Sequence, residues 1–235
     1  MFREWKSTKS ARENYQQARE QNWLGAKTQG MLKEMVATIS TRFPNPSDCE
    51  PLLVLAKGMA SPEIWQACLH WYVANRDEFY YRFVTEWLTL KYEAGTYLLK
   101  PQDVVPFVTK ITAGQIASGG TLSEYSVIRT ARDMLRMSAD FGLLTSGSTR
   151  QFALYHLPDD GFIFLMQVLL ERELNPQKAI HAPDWQIYLM TAADVERELL
   201  RLHQFRKLHY EVAGSLIELK LPYASGLECA KGMSP

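Results

Sequence analysis

A helical repeat of apolar residues between positions 121 and 144 constrains the fold of this chain more than any other feature. In "TLSEYSVIRTARDMLRMSADFGLL", apolar residues recur every three or four positions, which gathers them on one face of an α-helix. This face holds Val127, Ile128, Ala131, Met134 and Leu135. The repeat therefore predicts an amphipathic helix whose apolar side packs against other elements.

The flank of the same helix carries a strip of four side chains. Tyr125, Arg129, Arg132 and Arg136 fall within roughly 60° of one another at 100° per residue. We name Arg129, Arg132 and Arg136 the arginine strip. With the apolar side turned inward, the strip is predicted to face outward.

Local signals place the ends of this helix and predict the elements after it. Thr121 and Glu124 form a capping-box pattern at its start, and Gly142 is suited to a left-handed cap at its end. "TSGSTR" then predicts a turn, "QFALYHL" (151–157) a short strand beginning beside Arg150, and "PDDG" a turn back. Helix, turn and ribbon in this order are typical of a winged-helix module, whose recognition helix enters the DNA major groove.

A second segment repeats the pattern. Thr191 is a predicted N-cap with Asp194 three residues on, and a helix carrying Arg197 and Arg201 follows. A hairpin turning near residues 213–214 comes next. The two segments are either an internal duplication or two amphipathic helices that resemble each other by chance.

The N-terminal half is predicted to be helical. Residues 7–42 have a helical character, "RFPNPSDCEP" predicts a loop, and Ser61 with Pro62 predicts a new helix start. Aromatic residues then recur at helical spacing and are predicted to form a core: Trp65, Trp71, Tyr72, Phe79, Tyr80, Phe83 and Trp87.

Small residues in "TAGQIASGGT" predict a linker, with a domain boundary near residue 118. The sequence thus predicts a mainly α protein with small β-hairpins. It would consist of an N-terminal helical domain (1–118) and a C-terminal winged-helix-like domain (119–235).

Composition limits the possible locations and partners. The chain of 235 residues has no apolar run near the roughly 20 residues of a membrane span, and its N-terminus lacks the pattern of a secretion signal. Cys49, Cys68 and Cys229 are odd in number and widely separated, which favours reduced thiols in a cytoplasm over a disulfide framework or a zinc site. With the short apolar runs, this predicts a soluble, cytoplasmic protein without a membrane partner. The 26 basic and 26 acidic residues give no net charge, yet a local basic strip is enough to bind phosphates.

Enzymatic machinery is not visible in the sequence. There is no phosphate-binding glycine loop, no dinucleotide fingerprint, and no histidine pair at the spacing of a metal site, so we predict no catalytic residue, no metal and no cofactor. The most specific enzymatic alternative is a nuclease of the PD-(D/E)xK type. Asp159, after Pro158, and Glu218 would hold Mg²⁺ near the scissile phosphate, and Lys220 would stabilise charge.

Three longer segments resemble the BrxA family of BREX bacteriophage-exclusion systems. They are "EWLTLKYEAGTYLLKPQDVVPFV", "LSEYSVIRTARDMLRMSADFGLL", and Trp185 followed by "LHYEVAGSLIELKLP". The resemblance covers roughly residues 75–222, and "DFGLL" (140–144) is its most specific piece. It implies a non-enzymatic, mostly helical DNA-binding protein encoded beside a methyltransferase and a phosphatase-like protein, which are its expected partners.

The residues and the resemblance together predict a double-stranded DNA-binding component of a phage-defence system. The predicted contacts are Arg129, Arg132, Arg136, Arg150, Arg197 and Arg201, because the planar guanidinium group can engage two acceptors at once. Two other interpretations stay open. These arginines could pair with nearby carboxylates on solvated helices, or the protein could be a scaffold that binds only other defence proteins.

Overall fold

The computed structural model describes residues 1–58, 60–115, 122–214 and 216–233, and they form a mainly α protein with one small hairpin. The predicted fold class is confirmed. The α-helices up to residue 140 are α1 (Ala11–Glu20), α2 (Gln29–Arg42), α3 (Glu50–Lys57), α4 (Pro62–Ala74), α5 (Glu78–Arg82), α6 (Thr89–Glu93), α7 (Pro101–Gln115) and α8 (Glu124–Asp140).

The remaining elements are α9 (Asp159–Glu173), α10 (Pro176–Ile180), α11 (Ala192–Gln204), β1 (His209–Ala213), β2 (Leu216–Lys220) and α12 (Gly226–Gly232). Short 3₁₀ turns lie at Phe2–Glu4, Pro46–Cys49 and Pro183–Tyr188, and a π-helical segment, Phe83–Leu88, continues α5 into α6. No helix among the described residues is both long and apolar enough to cross a membrane.

The described chain divides into two compact units that each draw on separate stretches of sequence. The first contains Met1–Arg76, Pro158–Ile180 and Glu198–Pro235, and the second contains Asp77–Leu157 and His181–Arg197. The predicted boundary near residue 118 lies outside the described residues. The division into residues 1–118 and 119–235 therefore stays a prediction.

In the first unit, α9 is a central buried helix. α4 and α12 pack against it, and its residues from Gly161 to Gln167 are all buried. A helix that is apolar around most of its circumference has no solvent face, so its sequence lacks an amphipathic repeat. The turn predicted at "PDDG" is wrong: Pro158 is instead the N-cap residue, and Asp159 and Asp160 begin α9, where acidic side chains favour the helix dipole.

The predicted helical stretch 7–42 is broken in the structure. Residues 21–28 separate α1 from α2, and within them Asn22 (φ 49°) and Gly25 (φ 62°) adopt the left-handed region. Neither conformation can continue a right-handed helix. The loop predicted over "RFPNPSDCEP" is also shorter than expected, because α3 begins at Glu50 with a proline in its first turn.

In the second unit, aromatic rings form the core that their spacing predicted. Phe83 is fully buried, stacks on Trp87 with ring centroids 5.3 Å apart, and meets Phe107 of α7 edge-on at 5.9 Å. Tyr80 is fully buried as well and lies against Phe141 at the end of α8. These contacts join α5, the π-helical segment, α7 and α8 into one body.

The predicted N-caps at Ser61 and Thr191 are confirmed. The Ser61 hydroxyl accepts from the backbone N–H of Ile64 (3.3 Å) and Pro62 begins α4. Thr191 and Asp194 form a reciprocal pair, in which the Asp194 N–H donates to the Thr191 hydroxyl and the Thr191 N–H donates to the Asp194 carboxylate. The hairpin that follows α11 is confirmed too, with Tyr210 opposite Leu219 and Gly214 at its turn with φ 62°.

Gly142 ends α8 as predicted, with φ +84°. Its N–H bonds to the Ala139 carbonyl and the Leu143 N–H to the Ser138 carbonyl, both at 2.9 Å. This pair of hydrogen bonds is the Schellman arrangement, which requires a left-handed residue at this place.

We predict that Gly142→Ala lowers the stability by about 1 kcal/mol, because a Cβ strains the left-handed backbone while meeting only the Tyr155 ring at 3.7 Å. The melting temperature should fall by about 2–4 °C in a calorimetric scan. Gly30→Ala in α2 is the control, since its Cβ would enter open space in a helix and should not lower stability. Equal losses for both variants would contradict this account of Gly142.

Candidate functional site: a basic cleft beside α8

α8 turns its apolar side inward and its arginines outward. Val127, Ala131, Met134 and Leu135 are buried, and the helix packs against α7. The N-cap of α8 is Ser123, whose hydroxyl accepts from the Ser126 N–H at 3.2 Å. The predicted capping box of Thr121 with Glu124 is therefore wrong, because Glu124 is the first residue of α8; Thr121 itself lies outside the described residues.

All three members of the arginine strip are exposed. The Arg129 and Arg136 side chains are 71% and 74% exposed, and their Nε atoms lie 4.0 Å and 3.8 Å from carboxylate oxygens of Asp133 and Asp140. Exposed ion pairs at such distances contribute at most about 1 kcal/mol to the stability of the fold, so these arginines can readily exchange the carboxylate for another anion. Arg132 is exposed and makes no ion pair with any other residue that the structure describes.

A cleft of about 670 Å³ lies beside the strip, within the second unit. Arg132 and Arg136 line one side, and the cleft is completed by Lys100 at the start of α7 and by the loop from Gly147 to Arg150. We call Lys100, Arg132, Arg136 and Arg150 the cleft cations. Among the lining residues that the structure describes, Asp133 is the one carboxylate, so the described wall of the cleft carries a positive excess.

Backbone pairing explains how Lys100 reaches this place. Leu99 and Arg150 form an isolated antiparallel bridge, in which each N–H donates to the carbonyl of the other at 2.8 Å and 3.0 Å. The bridge fixes Lys100, the next residue along the chain, beside the loop. Arg150 also donates from its guanidinium to the Thr145 carbonyl at 3.2 Å, which holds its side chain against the same loop.

The strand predicted over residues 151–157 is wrong as a continuous element. Pairing is limited to single bridges, Leu99 with Arg150 and Leu144 with Phe152. Beyond Ala153 the backbone turns, with the Tyr155 N–H donating to the Ala153 carbonyl, and the Tyr155 ring stacks on Tyr188. Leu154 in this segment is fully exposed, so the apolar alternation does not mark the buried face of a strand, and the winged-helix assignment stays a prediction.

The arginines of α11 have a different environment. Arg201 donates to carboxylates of Asp159 and Glu198, and Lys207 donates to Asp159 at 2.8 Å. The hydrogen bonds with Glu198, and then those with Asp159, raise the pKa of Arg201. Arg197 lies 2.9 Å from Asp194. Carboxylates of α9 and α11 thus neutralise Arg201 locally, whereas Arg197 is 75% exposed and pairs with Asp194 at the surface. The role of both arginines in DNA binding stays a prediction.

The residues of the nuclease alternative are held in ion pairs as well. Asp159 is occupied by Arg201 and Lys207, and Glu218 accepts from Lys220 at 2.5 Å. Glu218 also lies opposite Glu211 on the hairpin, and His209 comes within 3.9 Å of both carboxylates. Cross-strand pairing brings His209, Glu211 and Glu218 together, and the spacing of histidines along the sequence could not indicate this cluster. Lys220 neutralises part of its negative charge through the ion pair with Glu218.

Together these features define a mainly helical protein that presents exposed arginines beside a basic cleft. The chain belongs to the BrxA family, whose family model matches residues 1–168, and it is a component of a BREX phage-exclusion system. The match covers the strip and all the cleft cations and stops before Arg197 and Arg201. No curated protein and no solved structure matches the chain.

We predict that Asp159→Asn destabilises the protein by about 1 kcal/mol at pH 7, because Arg201 and Lys207 lose a shared carboxylate in a network that is partly screened by solvent. Burial alone would raise the pKa of Asp159, but the hydrogen bonds from Lys207 and Arg201 outweigh burial and lower it below its ordinary 3.8. A depressed carboxyl pKa stabilises the fold above the ordinary value, and this contribution is lost as the pH falls through the folded-state pKa.

Urea unfolding of parent and variant should therefore show a constant difference from pH 7 to pH 5 that narrows below pH 4. Asp160→Asn is the matched control, since Asp160 lies at the same helix start but is exposed. The network is not stabilising if both variants unfold at the same urea concentration as the parent.

Proposed function

We propose that this chain is the non-enzymatic double-stranded DNA-binding component of its BREX system, and that α8 presents the binding surface. The observation that carries the proposal is the exposed strip of Arg129, Arg132 and Arg136, supported from behind by a buried apolar face. Guanidinium groups that remain in water with weak partners are available to phosphates and base edges.

The dimensions of the strip suit duplex DNA. Arg129 and Arg136 are two helical turns apart, about 10 Å along the axis, and the B-DNA major groove is about 12 Å wide and admits an α-helix. The order of elements in the second unit also supports the proposal. Helices α5–α6, the bridged Leu99, α7, α8 and two bridged segments follow one another along the chain, and this order is compatible with the winged-helix-like part that the sequence predicts.

Neutral net charge does not oppose this function. Some of the 26 acidic residues that cancel the positive charge of the chain pair with Arg197 and Arg201. The cleft cations, by contrast, share one carboxylate, Asp133, among the described lining residues. Binding to a polyanion depends on the local arrangement of charges and on counterion release.

The scaffold function is the second candidate, and it is compatible with the first. Large apolar side chains are exposed in the second unit, with Tyr97 at 72% and Leu154 fully exposed, and such side chains favour contact with another protein. Membership of the family makes other BREX proteins the natural partners.

We predict that replacing Arg129, Arg132 and Arg136 by Ala weakens binding to a 20-base-pair duplex by roughly hundredfold or more at 0.1 M salt, because about three phosphate contacts are lost. Fluorescence anisotropy measures the affinity. Alanine favours helix, so circular dichroism should show an unchanged fold.

A charge-matched control separates local contact from net charge. Arg12, Arg19 and Lys33 are exposed in the first unit, and replacing all three by Ala removes the same charge. This control should bind DNA as the parent does. Equal weakening in the two triple variants, or none in either, would show that α8 is not the binding surface; a parent that binds no duplex at low salt would favour the scaffold.

A further inference from the structure

We propose that the basic cleft is a site for the phosphate backbone of DNA, and that Lys100 is a DNA-contacting residue outside the arginine strip. This inference rests on the proposed function and adds to it a second contact surface. It starts from the convergence of the cleft cations, which come from three separate parts of the chain.

Two of these cations are positioned by the backbone. The paired N–H to carbonyl bonds between Leu99 and Arg150 bring Lys100, the residue after Leu99, to the same cleft as Arg150. α8 adds Arg132 and Arg136, one helical turn apart, to the lining. Positive groups gathered in a cleft focus the potential and raise the local concentration of anions. The single carboxylate of Asp133 leaves most of this charge uncompensated by the lining residues.

The loop provides hydrogen-bond donors at the same place. Within the described part of the chain, the backbone N–H groups of residues 147–149 donate to no protein acceptor, and Ser148 and Thr149 add hydroxyl groups. Phosphate oxygens accept from backbone N–H, hydroxyl, lysine and arginine donors alike. The cleft therefore offers both charge and donors to a phosphate group.

The length of the basic surface favours DNA over a small phosphorylated molecule. Arg132 and Arg136 belong both to the cleft and to the strip, and the strip continues beyond the cleft to Arg129. A ligand that reaches all of these groups must carry phosphates over about 10 Å or more. A DNA strand does so, with a backbone phosphate in the cleft while α8 lies against the bases or the neighbouring phosphates.

The test compares Lys100→Ala with Lys110→Ala by anisotropy titrations of two duplexes of unrelated sequence between 50 and 300 mM salt. Lys110 is an exposed lysine in the C-terminal half of α7, outside the cleft lining, and is the matched control. Lys100→Ala should weaken binding of both duplexes by the same factor, about fivefold to tenfold at 0.1 M salt, and reduce the slope of log affinity against log salt by about one. Lys110→Ala should match the parent.

A second variant distinguishes the loss of a DNA contact from the loss of the fold. Asp133→Asn removes the carboxylate from the cleft and should tighten DNA binding several-fold, a gain that misfolding cannot produce. Calorimetric titration with inorganic phosphate and with ATP tests the other source of phosphate, and neither should bind at micromolar concentration.

The outcomes separate the two proposals. A parent that binds no duplex overturns the proposed function and this inference together. A parent that binds with a salt-dependent affinity, while Lys100→Ala and Asp133→Asn behave like the parent, overturns only the cleft assignment. Tight binding of ATP or phosphate that is lost in Lys100→Ala, with DNA affinity unchanged, shows that the cleft serves a small molecule instead.

Discussion

Burial of the apolar face of α8 is the interaction on which the rest of this site depends. Met134 and Leu135 are buried in the second unit. Burial of a side chain of this size stabilises the folded state by about 1.5–3 kcal/mol. The helix cannot rotate without exposing them, so Arg129, Arg132 and Arg136 must point to solvent. An apolar contact thereby sets the direction of a charged surface, and a single bridge between Leu99 and Arg150 then adds two more cations to it.

Two helices with similar arginine spacing have different electrostatic environments. In α8 the carboxylates are distant, exposed i,i+4 neighbours, whereas in α11 Arg201 meets Glu198 of its own helix and Asp159 of α9. The first arrangement leaves the charge available to a ligand, and the second uses it to hold α9 and α11 together. Sequence could not distinguish them, because Asp159 becomes a neighbour of Arg201 only through tertiary packing.

Features encoded within one or two helical turns were the predictable ones. The amphipathic period of α8, the cap at Gly142, the N-caps at Ser61 and Thr191 and the β1–β2 hairpin all depend on local backbone chemistry. The prediction of a strand over residues 151–157 failed because an apolar alternation does not specify a pairing partner. α9 was not predicted from the sequence because this helix is buried on nearly all sides and so has no amphipathic repeat. Lys100 has no local signal; only its long-range pairing neighbour brings it to the cleft.

Protection of individual guanidinium groups by DNA tests the central claim most directly. Arginines are modified with phenylglyoxal with and without a saturating 20-base-pair duplex, and the modified positions are quantified by peptide mass spectrometry. We expect Arg129, Arg132 and Arg136 to react readily in the free protein and to be protected several-fold in the complex, while the exposed Arg12 and Arg19 react at unchanged rates. Unprotected strip arginines in a saturated complex, or equal protection at all five positions, would contradict the account.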